Sequence, residues 1–187
     1  MKWQGPVYEG LKSFFQKKED YETYTIPFPE ILTDPVKTVE RIKSFVAEKK
    51  INILAGTSLG GFYALTFPEK VFKIVMNPCL FPSIEVEQVK NKVTGEYVKV
   101  SSEVKLVWQK MEASLKDFSL LPEAARSAFG LFGNQDFLFH YEKDHTYKPL
   151  FEELFPSTKN QPNAFYIDGV HSFTPEQMEL GLSKWEW

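Results

Sequence analysis

A serine bracketed by glycines, Gly56-Thr57-Ser58-Leu59-Gly60-Gly61, stands directly after the apolar run 51–55 and directly before 62–67, a stretch of helical character ended by Pro68. Few backbone arrangements hold such a segment. A buried strand that turns at once into a helix must bend sharply at the serine. The bend forces that residue into a sparsely populated conformation and lifts its hydroxyl clear of the strand. Gly56 and Gly60 are expected to be glycine because side chains there would collide in so tight a bend. The helix that follows points its N-terminus at the serine, so its free amides, that of Leu59 first, can stabilise an oxyanion. The plain alternative is a glycine-rich turn without chemistry, and the placement between strand and helix favours a nucleophile elbow over it. A phosphate-binding loop would need a Lys-Ser/Thr pair where the chain has Gly61-Phe62, and the glycine spacing of a dinucleotide fingerprint is missing.

The rest of the chain repeats the alternation of strand and helix. Helices are expected over 7–18, with Val7, Leu11, Phe14 and Phe15 on one face, and over 34–49, where Asp34 is the N-cap and Pro35 the first helical residue. Between them, 21–26 alternates aromatic and β-branched residues and predicts a short strand stopped by Pro27 and Pro29. Further apolar strands are predicted at 72–76, 128–132 and 164–167, and helices at 142–155 and 175–185. Such an order favours a mostly parallel sheet with helices on both faces, a three-layer α/β sandwich. The chain reads as a single domain, 1–187. Within it 80–122 is long, charged and helical in pattern (Val104, Val107, Trp108, Met111, Leu115), and is expected to be a helical, cap-like insertion over the sheet's C-terminal edge.

A serine hydroxyl is a weak nucleophile until a base takes its proton. Of the three histidines, His171 follows the last predicted strand and precedes the last helix, which is where the base of such a site belongs, in the chain order serine, acid, histidine. His140 and His145 sit in a polar stretch and read as exposed or structural. The acid is expected on the loop after the preceding strand, at Asp136, where it would accept the second ring N–H of His171 and hold tautomer and orientation. A turn or helix-cap role is the alternative for Asp136, and Asp144 and Asp168 are its substitutes. The four tryptophans Trp3, Trp108, Trp185 and Trp187 read as packing residues, and Cys79 as a poor second candidate for the nucleophile.

Composition narrows the classes. With 187 residues, 43% hydrophobic and 16% aromatic, the chain can bury a substantial core. A net charge of -3 argues against a surface devoted to nucleic acid. One cysteine forbids an intrachain disulfide, and no signal peptide or membrane-length apolar run is present, so a cytoplasmic protein without a membrane partner is expected. No His/Cys/carboxylate spacing calls for a metal, and no cofactor motif is present.

Four pieces in order carry a resemblance. They are Ala55-Gly56-Thr57-Ser58-Leu59-Gly60-Gly61-Phe62-Tyr63-Ala64, Met76-Asn77-Pro78, Phe132-Gly133-Asn134-Gln135-Asp136 and Gly169-Val170-His171-Ser172-Phe173. On these the chain resembles the small bacterial YqiA-like esterases of the α/β-hydrolase superfamily, from about residue 51 to the C-terminus, with 80–122 divergent. The resemblance implies a Ser58–Asp136–His171 triad and a small-molecule ester or thioester substrate. Such proteins open with an apolar strand ending in His-Gly, whose loop supplies the second oxyanion donor. Here Met1-Lys2-Trp3-Gln4-Gly5-Pro6 resembles the loop after that strand, which is itself absent, so Trp3, Gln4 or Gly5 would take the donor position, Gln4 being preferred. In this fold the strand lies beside the nucleophile strand, and its absence would expose two strand edges.

The expectation is therefore a serine esterase or thioesterase, or an acyltransferase on the same residues. A catalytically idle protein of the same fold that binds a small ligand or a protein partner is the alternative from another class.

Overall fold

The computed structural model describes residues 5–18, 21–26, 30–90, 96–117, 127–138, 147–157 and 161–187. Helices α1 (Pro6–Gln16) and α2 (Pro35–Lys49) precede strand β1 (Ile53–Thr57), helix α3 (Leu59–Leu65) and strand β2 (Phe72–Met76). An insertion follows, made of α4 (Pro82–Glu85), the hairpin strands β3 (Gln88–Lys90) and β4 (Tyr97–Lys99), and α5 (Ser102–Lys116). Strand β5 (Ala128–Gly133), helix α6 (Lys148–Leu154), strand β6 (Ala164–Ile167) and helix α7 (Pro175–Leu182) complete the chain. Strands β1, β2, β5 and β6 form one parallel sheet in that order.

The order has a simple physical consequence. Every step from β1 to β6 moves the same way across the sheet, and crossovers of one hand then put their helices on one face. The core divides accordingly. Val75 and Phe132 pack with Ile42 and Val46 of α2, Phe62 and Leu65 of α3, Trp108 of α5, and Phe151 of α6. On the opposite face Ile74, Met76, Phe129 and Leu131 meet Leu11, Phe14 and Phe15 of α1 and Met178 and Leu182 of α7. Neighbouring residues along β2 and β5 thus serve opposite faces, the period-2 alternation of a strand buried on both sides. Because all four strands run in parallel, the loops after Thr57, Met76, Gly133 and Ile167 emerge at a single edge.

Local chemistry explains the helix boundaries. Asp34 caps α2 through its side chain, which accepts from the Lys37 amide at 2.9 Å, and Pro35 takes the first turn. Thr174 and Gln177 form a reciprocal capping box at the start of α7. Trp108 pins the insertion to the body, since its buried indole donates to the Tyr63 hydroxyl at 2.9 Å, and that hydroxyl donates to Ile31 O at 2.9 Å.

Two expectations need correction. Residues 21–26 form no ladder; they lean on the helices instead, with Tyr21 against Phe15 and Tyr24 against Phe45. Their alternation suits a strand, but a strand also needs a neighbouring edge, and β1 bonds only to β2 among the described residues. The insertion is not purely helical either, because the short antiparallel pair β3–β4 interrupts it. Both strands are only three residues long, too short for their periodicity to stand out. The predicted helix at 142–155 lies partly outside the described residues and is seen as Lys148–Leu154.

Lys73, fully buried in β2, has its pKa lowered by burial to about 8. Between that value and the ordinary 10.5 the unfolded chain holds the extra proton, so this residue's contribution makes stability rise as pH increases through the window. Lys73→Met is expected to remove that rise, an effect on the order of 3 kcal/mol. Urea denaturation of both proteins at pH 7 and pH 10 measures it. Parallel pH profiles would refute the assignment.

Candidate active site

Ser58 sits between β1 and α3 with φ 54 and ψ -126, a left-handed region that costs a non-glycine residue about 1–3 kcal/mol. Its backbone is held from several sides. The Ser58 amide donates to Met76 O at 3.1 Å, and its carbonyl accepts from Gly61 at 3.0 Å, Phe62 at 3.2 Å and Cys79 at 3.0 Å. Gly61 and Phe62 are the first α3 amides bonded back to the elbow, which leaves the Leu59 N–H ahead of them at the helix N-terminus.

Gly56 meets its expectation, since a Cβ there would lie 2.3 Å from Gly60 O and 2.5 Å from Gly60 C. Gly60 does not. Among the described residues nothing lies within 4 Å of a Cβ at that position, whereas a Cβ on Gly61 would lie 2.9 Å from Pro78 Cβ. Gly56→Ala is expected to lose about 3 kcal/mol or more, because backbone cannot yield as a side chain can. Equilibrium denaturation tests this, and wild-type stability would contradict it.

The acid and histidine loops meet at the same edge. Asp136, buried at 6% exposure, places Oδ2 2.9 Å from His171 Nδ1, while its Oδ1 accepts from the Leu138 amide at 2.9 Å. The His171 ring keeps 19% of its surface exposed, open enough to meet a small molecule. The two loops are stitched together by Gln135 N–H to Gly169 O at 2.9 Å and Gly169 N–H to Asn134 Oδ1 at 3.2 Å. Gly133 permits this approach, since a Cβ there would come within 2.6 Å of Gly169 O. The substitute acid Asp168 is occupied otherwise: its carboxylate accepts from the Gln135 side chain at 2.8 Å. The Ser58, Asp136 and His171 loops therefore gather at one edge, with Leu59 beside them. Gln4, His140, Asp144 and His145 lie outside the described residues.

Sequence reasoning quoted Asn77 within the Met76-Asn77-Pro78 piece of the resemblance and gave it no role. It follows β2 with φ 40, is 4% exposed, and its side chain touches both loops of the candidate pair. Asn77 Oδ1 accepts from Gly133 N–H at 2.7 Å, and Nδ2 donates to His171 O at 2.9 Å and Val170 O at 3.2 Å. Beyond that piece, the signal for its place was the residue type: asparagine tolerates positive φ, and a proline that ends the strand follows it.

Beneath the elbow lies a buried polar group. The Cys79 thiol donates to Glu85 Oε2 at 3.1 Å, the Tyr147 hydroxyl donates to Glu85 Oε1, and Glu112 accepts from Ser83 N and Oγ, both at 2.8 Å. Burial, reinforced by Glu85, pushes the Cys79 thiol far above its usual range, so it is not a thiolate and is no rival nucleophile. Burial likewise raises the Glu85 carboxyl. Along the side of β1 that carries no strand among the described residues runs a groove of about 430 Å³, lined by Gly5, Tyr21, Ile26, Ala55, Thr57 and Gly60 among others. Among the described residues no group of His, Cys, Asp and Glu is arranged to hold a metal ion, and no helix is long and apolar enough to cross a membrane.

A parallel sheet covered on both faces, a serine held at positive φ between strand and helix, and a carboxylate–histidine pair at the same edge are the arrangement of the α/β-hydrolase fold. Residues 9–154 match the Uncharacterised protein family (UPF0227), and the chain belongs to that family, the YqiA-like group its motifs resemble. Among solved structures, TT1662 from Thermus thermophilus is 20% identical, with a TM-score of 0.47 over 79% of this chain and 59% of its own. A SOBER1 variant from Arabidopsis thaliana is 14% identical, with a TM-score of 0.44 over 83% of this chain and 64% of its own. The chain thus spans less than two thirds of either. No curated protein sequence matches it.

Proposed function

We propose that this protein is a serine hydrolase that cleaves a carboxylic ester or thioester through an acyl-enzyme on Ser58. The observation that carries the reading is the 2.9 Å pairing of Asp136 with His171 Nδ1 at the sheet edge where Ser58 is held at φ 54. With Nδ1–H donated to the carboxylate, Nε2 is the basic nitrogen. His171 takes the Ser58 proton as Oγ bonds to the acyl carbon, and the Leu59 amide receives the developing oxyanion. The tetrahedral intermediate collapses with loss of the alcohol or thiol, which takes its proton from the imidazolium. Water then gives a proton to His171, attacks the acyl carbon and releases the acid, returning the proton to Ser58. The second oxyanion donor would come from the segment before α1, Gln4 or its neighbours. The insertion after Cys79 would shape an acyl pocket, and its apolar content favours a substrate with an apolar acyl part.

A fluorophosphonate probe tests the activated serine. Labelling that disappears in Ser58→Ala and in His171→Ala supports the mechanism and leads to a series of p-nitrophenyl esters of increasing chain length. The groove beside β1 favours a second reading, a protein of this fold that binds a ligand without turning it over. Folded wild-type protein that takes no label would select it.

A further inference from the structure

The four residues leaving β2 touch every loop of the candidate site. Met76 O and Cys79 N–H hold the backbone of Ser58 at 3.1 and 3.0 Å. Pro78 packs against Gly61 in the first turn of α3. Between them, the Asn77 amide reaches the acid loop through Gly133 and the histidine loop through Val170 and His171. Its three bonds use one acceptor and both donors of the side chain, which no other uncharged residue of that length supplies. Asn77 also occupies a positive φ of 40, where asparagine is tolerated and most residues are strained.

From this geometry we infer that Asn77 is a positioning residue that sets the acid and histidine loops against one another and against Ser58. The inference rests on the serine-hydrolase reading for its kinetic consequence. Its structural content stands on the hydrogen bonds alone. Asp136 and His171 sit on loops from different strands, joined to each other at Gly169 but tied to the serine elbow through the β2 exit. Without the Asn77 amide, Gly133 N–H and the two carbonyls lose their buried partner, and the loops can shift by fractions of an ångström. Misplacement of about 1 Å is enough to cost a hundredfold in rate.

Asn77→Gly removes the side chain while keeping the backbone conformation accessible, and Asn77→Asp keeps an acceptor for Gly133 but turns oxygen toward the carbonyls of Val170 and His171. Turnover of p-nitrophenyl acetate, thermal melting, and the downfield proton NMR signal of His171 Nδ1–H, assigned by its absence in His171→Ala, are measured on the same samples. Both variants are expected to fold, to lose roughly 10- to 100-fold in kcat with little change in KM, and to lose or broaden the downfield signal. In a His171→Ala background, Asn77→Gly should add almost nothing, because the group it positions is gone. A folded Asn77→Gly with wild-type kcat and an intact signal overturns the inference. So does a loss of activity that vanishes when rates are divided by the fraction of protein still folded. If wild-type protein neither turns over ester nor takes label, the hydrolase reading fails, and the NMR signal alone still decides whether Asn77 holds the Asp136–His171 pair.

Discussion

Ser58→Ala is expected to lower kcat by about 10⁶-fold, to the residual level supplied by binding and oxyanion contacts, while the protein stays folded. The side chain to be removed is small, and the elbow is held by four backbone hydrogen bonds that need no hydroxyl. Stability should therefore change little, since alanine bears the same positive φ that serine does. Ser58→Gly separates strain from chemistry. It is just as inactive, yet it relieves a conformation costing about 1–3 kcal/mol, and so should melt above Ser58→Ala. Steady-state hydrolysis of a p-nitrophenyl ester and calorimetry of the two variants make the comparison. Retention of more than a few per cent of activity in Ser58→Ala would move the nucleophile elsewhere and end the proposed mechanism.

Asp136→Asn should reduce kcat by about 10⁴-fold with KM nearly unchanged. The reason lies in how the carboxylate is shared. Oδ1 is committed to the Leu138 amide and Oδ2 to His171 Nδ1. In asparagine the oxygen stays with the Leu138 N–H, so the amide nitrogen faces the imidazole and offers protons where an acceptor was. Nδ1 must then become the acceptor, the ring proton moves to Nε2, and the nitrogen that should take the Ser58 proton no longer can. His171→Ala should be at least as severe, and the double variant should be scarcely worse than either alone, since the pair acts as a unit. A loss below tenfold in Asp136→Asn would mean that another carboxylate serves His171. Asp168 is poorly suited, as its carboxylate is bonded to Gln135.

Much of this site could be read from the chain because its parts are local. Strands 72–76 and 164–167 were legible to the residue from their apolar runs and bounding turns, and the helix starting at Pro35 from Asp34 and the proline after it. Ser58, Asp136 and His171 each stand just after a strand, and in a parallel sheet that is sufficient to bring them to one edge. Their positions followed from topology without knowledge of any contact.

What the chain determined by itself, then, was the order and type of elements and the residues at the strand ends, because turns, caps and hydrophobic period depend on neighbours a few residues away. The tertiary structure alone decided the rest. It left 21–26 without a ladder, since pairing depends on whether a second edge is present and not on alternation. It assigned close packing to Gly61 in place of Gly60, since only the spatial neighbour Pro78 makes a Cβ impossible there. It also gave Asn77 its place, with hydrogen-bond partners 56, 93 and 94 residues distant. No local pattern encodes such partners, because they exist only once the sheet has brought the loops together.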